Sequence, residues 1–143
     1  NLAKGMPHRV LISTADFQKR FDFPFVCATT TKSYLASHRD TIKKVLMALI
    51  EASHFFKTRK EESKKIVAKY MRQDNEDFLE SIHNSYVKLF ERVPLVTREG
   101  VEVQIKEALA RRPGVSLKVE DVVDDGIVRD LDKSGFIDAV YKQ

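Results

Sequence analysis

The sequence predicts a mostly α fold with a small β component, and the β component falls within the first thirty residues. Two short runs rich in β-branched residues, RVLIS (residues 9–13) and PFVCATTT (residues 24–31), are the only strand signals. From Ser37 onward apolar residues recur at helical rather than alternating spacing. With 5 Gly and 4 Pro in 143 residues, few breakers interrupt that spacing. Residues 1–30 are therefore read as a strand-bearing segment and residues 31–143 as helical.

Two short strands alone make a marginal sheet, so the first segment looks like the edge of something larger. The first helix starts at Ser37, where Asp40 three residues on resembles a capping box. It carries Ile42, Val45, Leu46, Leu49, Ile50, Ser53 and Phe56 on one stripe. A shorter helix runs through EESKKIVAKYM, with Ile66 and Tyr70 on one face. A third starts near Asp74 or Asn75, aligns Phe78, Leu79, Ile82, Tyr86, Leu89 and Phe90, and stops before Pro94. Thr97 caps a fourth helix with Val101, Ile105, Ala108 and Leu109, up to the stop signal RRPG at residues 111–114. Residues 117–123 are ambiguous, with VSLKVEDVVDD able to form a short extended piece followed by a turn of helix.

Composition narrows the function classes. A hydrophobic fraction of 43% and a charged fraction of 32% suit one soluble domain, large enough to bury a core without disulfides or metals. The 25 basic and 21 acidic residues are interleaved, which gives a solvated surface rather than a polyanion-binding field, so no nucleic acid partner is expected. Cys27 is the only cysteine; an intrachain disulfide is impossible, and its apolar and hydroxylated neighbours suggest a buried small hydrophobe. No apolar run approaches the ~20 residues that cross a bilayer. The chain begins with Asn rather than Met and is expected to be a piece of a larger protein.

Enzyme chemistry requires converging acids, bases or nucleophiles. His8, His38, His54 and His83 are scattered and suit solvated or capping roles. The Asp121, Asp124, Asp125 group reads as an exposed acidic face, and neither a phosphate loop nor a nucleophile elbow is present. No enzyme, no cofactor and no metal are expected. The stretch DLDKSGFID matches the first half of a calcium loop, with Asp130, Asp132, Ser134 and Gly135 at positions 1, 3, 5 and 6. Position 12, however, is Tyr141, which lacks the bidentate carboxylate. The preferred reading is one or two helical turns over residues 127–133, closed by Gly135 as a left-handed cap with Phe136 folding back.

The order of these elements carries a resemblance. Ala28, Thr29, Tyr34 and Leu35, then Ala48, Ala52, Glu61 or Glu62, Ile66 and Tyr70, then the closing L-x-x-S-G-F-I of Leu131, Ser134, Gly135, Phe136 and Ile137 are similar to the C-terminal half of ABC-transporter solute-binding proteins. The class resembled is the nitrate/sulfonate/taurine one, with its thiamine-precursor-binding relatives; Ala3 to Gly5 match its earlier motif in a looser form. The resemblance implies the C-terminal part of a two-lobed α/β periplasmic-binding-protein fold of type II, with residues 1–30 returning between lobes. It further implies capture of a small-molecule solute for an ABC permease, without catalysis, in a periplasmic or extracellular membrane-associated protein. Ligand contacts would come from the turns after the two strands: Thr14, Asp16, Thr29 and Thr30, the aspartate pairing a cationic group and the hydroxyls orienting a polar one. The alternative is a free-standing helical interaction module. In either case exposed apolar edges favour self-association.

Overall fold

A computed structural model describes Leu11, Ile12, Asp16, Pro24 and residues 26–142. From Lys32 onward the described residues form seven helices: α1 (Lys32–Ser37), α2 (Arg39–Thr58), α3 (Lys60–Met71), α4 (Glu76–Tyr86), α5 (Arg98–Ala110), α6 (Gly126–Lys133) and α7 (Phe136–Tyr141), with a 3-10 turn at Val119–Asp121. Among the described residues there is no strand, which overturns the expected β component and with it the α/β binding-protein fold of type II. Leu11 and Ile12 lie in bends, 78% and 69% exposed, and residues 27–31 run as irregular chain. The physical reason is pairing: β-branched residues favour a strand only where a neighbouring ladder accepts their backbone groups, and none stands beside them among the described residues. Cys27, expected to be buried, is exposed for the same reason.

Hydroxyls and amides set the helix starts. Thr31 caps α1, its Oγ1 accepting from the Tyr34 N–H at 3.2 Å. Ser37 does not open α2 as the sequence suggested; it closes α1, donating its hydroxyl back to the Ser33 carbonyl at 2.9 Å, and α2 starts two residues later behind His38. A serine hydroxyl satisfied by the preceding turn is no longer available to cap the next one. Asn75 caps α4 through the Phe78 N–H at 2.9 Å, and Thr97 caps α5 through the Gly100 N–H at 3.3 Å, both where the sequence placed them. The ends are governed by backbone conformation. Arg72, at φ +51°, terminates α3 in the left-handed region, and Gly135, at φ +77°, turns the chain between α6 and α7.

That last turn builds the core. Gly135 folds α7 back on α6, and together they lay Ile127, Leu131, Ile137 and Val140 against Ile50 of α2. Leu35, Ile42, Leu46, Met47, Val93 and Phe136 pack around this cluster. Burying one such side chain stabilises the fold by about 1.5–3 kcal/mol relative to leaving it in water. The stripe on α2 is rotated from the expected one: Ile42, Leu46, Met47 and Ile50 face the cluster, while Val45 and Leu49 remain 48% exposed. Arg39 at the start of α2 reaches Asp124 just ahead of α6 (3.7 Å), a half-exposed pair that orients more than it stabilises.

α3 and α4 form a second unit, an antiparallel hairpin that α2 runs into through the Thr58 to Lys60 junction. Its inner face is unexpectedly polar. Ser63 and Lys64 are buried, whereas Ile66 and Tyr70, the apolar pair read onto one face of this helix, are 48% and 80% exposed. On α4 the deepest residues are Leu79 and His83.

Substitutions at two positions test this description. Ile137→Ala, at a site with no exposure, is expected to cost about 2–5 kcal/mol in urea unfolding, and Ile137→Val only about 0.5–1.5 kcal/mol. Gly135→Ala is expected to cost about 1–2 kcal/mol through its positive φ, since open space surrounds the position and no clash adds to the strain.

Candidate functional site

The hairpin α3–α4 presents two contrasting surfaces. Along one, Lys64 extends from α3 with its side chain only 7% exposed and meets Glu61 of its own helix (3.3 Å) and Glu76 and Glu80 of α4. Lys60, one turn earlier, bonds the other oxygen of Glu80, and the Asn84 amide also donates to that carboxylate at 3.1 Å. A single cation facing three carboxylates would leave two negative charges uncompensated; Lys60 reduces that excess to one, so two cations and three anions interlock across the hairpin. Hydrogen bonding to Glu76 holds the Lys64 ammonium well above its ordinary value, against the opposing effect of its desolvation. Hydrogen bonding from Lys60, reinforced by Asn84 and Lys64, holds Glu80 down to about 2.

Behind this network His83 packs between α4 and α2. Its Nε2 lies 2.9 Å from the Phe56 carbonyl, which can only accept, so Nε2 donates in this bond. The ring stacks on Phe56 at 4.7 Å, and Phe56 in turn meets Phe90 edge-on at 5.3 Å. Both His83 Nδ1 and the Ser63 hydroxyl are buried without a hydrogen-bond partner among the described residues. His54 is half-buried: its ring sits 4.8 Å from Tyr141, and its buried Nδ1 and the phenol oxygen have no partner among the described residues. Burial pushes the Tyr141 phenol up, an effect the Arg92 guanidinium over its ring partly offsets. The solvated or capping roles read for these two histidines are thus replaced by packing roles.

The other surface of the hairpin is an apolar groove of about 320 Å³, lined by Phe56, Ile66, Val67, Tyr70, Met71, Ile82, Tyr86 and Phe90. Its lining is apolar apart from the Tyr70 and Tyr86 phenols, so it can hold apolar groups. Lys69 folds over the Tyr70 ring at 5.9 Å, on the rim. A second groove of similar volume lies between α5 and the 3-10 turn, where Ile105, Leu109, Leu117 and Val119 are flanked by Glu102, Lys106, Lys118 and Glu120.

The ligand residues expected from the sequence are not assembled at either groove. Thr14 lies outside the described residues; Asp16, Thr29 and Thr30 are exposed and line neither groove. The acidic group is not a uniform exposed face: Asp125 is buried and pairs with Arg129 (3.3 Å), Asp124 accepts from the Gly126 N–H, and Asp121 from the Lys118 N–H. In the calcium-like stretch Asp138 pairs with Arg92, while Asp130 and Asp132 stay exposed on α6. Among the described residues no group of three or more His, Cys, Asp or Glu could hold a metal ion, and no helix is long and apolar enough to cross a membrane. Sequence reasoning missed the Lys64 network, because the 12 and 16 residues separating Lys64 from Glu76 and Glu80 leave no periodic trace.

A carboxylate with a depressed pKa contributes stability above its ordinary value of 4.5 and loses it as pH falls toward the lowered one. The melting temperature followed by circular dichroism is therefore expected to fall between pH 4.5 and about 2, and Glu80→Gln to flatten that fall while lowering Tm at neutral pH. Lys64 works in the opposite sense: its contribution is complete below 10.5 and fades as pH rises through its elevated value. Lys64→Ala removes the cation that Glu61, Glu76 and Glu80 share and leaves Glu80 with Lys60, so it is expected to lower Tm at pH 7 in the same circular dichroism melts. Comparison of the chain with family models, curated proteins and solved structures finds no match.

Proposed function

We propose that the chain is the helical portion of a solute-binding protein of the nitrate/sulfonate/taurine uptake class, which captures a small solute and delivers it to an ABC-type permease without catalysis. The observation that supports this reading is the place of the closing L-x-x-S-G-F-I motif. Leu131 and Ile137 are buried, Phe136 packs beside them, and Gly135 supplies the left-handed turn that lets α6 and α7 close on α2. Leu35, which also belongs to the resemblance, packs on the same cluster. In this reading Thr29 and Thr30, exposed just ahead of α1, orient a polar group of the solute, and the protein works outside the cytoplasmic membrane.

The test is calorimetry and thermal shift on the natural gene product with nitrate, taurine, alkanesulfonates and pyrimidine precursors of thiamine. One of these is expected to raise Tm saturably, with stabilisation of about 2.7 kcal/mol at a hundredfold excess over Kd. Thr29→Val with Thr30→Val is expected to weaken that binding about tenfold, the value of one or two hydrogen bonds. The absence of any shift across all four solute classes would overturn the reading. Submicromolar binding by these 143 residues alone would count against a ligand site completed by further chain.

A second reading, a helical interaction module, is favoured by the α3–α4 groove, where Tyr70, Met71 and Ile66 are 80%, 52% and 48% exposed. It predicts a dimer in light scattering at tens of micromolar that Ile66→Lys converts to monomer. A monomer at all concentrations would remove self-pairing as the use of this face.

A further inference from the structure

We draw no further inference here: the strongest candidate, the apolar groove between α3 and α4 lined by Ile66, Tyr70, Met71, Ile82, Tyr86 and Phe90, belongs to the site already described, and nothing in the structure shows what covers it.

Discussion

Ile137 is the one side chain in the core cluster with no exposure at all, and it is buried because the chain reverses direction at Gly135. Without that reversal α6 and α7 would run on as one helix, and their apolar residues could not converge on Ile50. A helix of six residues such as α7 is too short to be stable on its own; it exists because its buried side chains hold it against α2. The left-handed turn is thus the constraint through which a local conformational preference becomes a tertiary contact. Ser134 reinforces it, its hydroxyl donating to the Leu131 carbonyl at 2.8 Å at the end of α6.

The α3–α4 hairpin is stabilised differently. Its inner face is poor in large apolar groups, and a buried lysine there is tolerable only because carboxylates from both helices meet it. Such a network specifies register: sliding α4 by one turn would move Glu76 and Glu80 away from Lys64 and Lys60. The hairpin therefore trades apolar burial for alignment, and its apolar residues, Ile66, Tyr70 and Met71 on α3 with Ile82 and Tyr86 on α4, are left to form the groove on the other side. The stability and the exposed surface of this unit follow from one choice of which face points inward. That choice also places His83, whose single hydrogen bond to Phe56 links α4 to the last turns of α2.

Helix existence was legible wherever local chemistry governs it. Asn75 and Thr97 cap where side-chain oxygens precede apolar periodicity, and the Leu131 to Ile137 stretch carries its turn in the Gly135 residue itself. Ser37 illustrates the limit: two turns competed for one hydroxyl, and spacing alone could not say which would win. RVLIS and PFVCATTT illustrate another, since strand propensity expresses itself only beside a partner strand. Of the residues read as ligand contacts, Asp16, Thr29 and Thr30 remain on the surface and converge on neither groove. The groove residues Ile66 and Tyr70 were visible as an apolar pair on one face of their helix, but spacing alone did not say what that face meets.

The sequence by itself determined the helical content, the Thr97 cap and the glycine turn, because these depend on hydrogen bonds and backbone angles among residues within four or five positions of one another. Only the tertiary structure decided which face of each helix was buried. An apolar stripe is satisfied by any neighbour that covers it; the rotation of α2 toward Met47 depends on α6 and α7, far along the chain, and the burial of Lys64 in place of Ile66 on how α3 and α4 face each other.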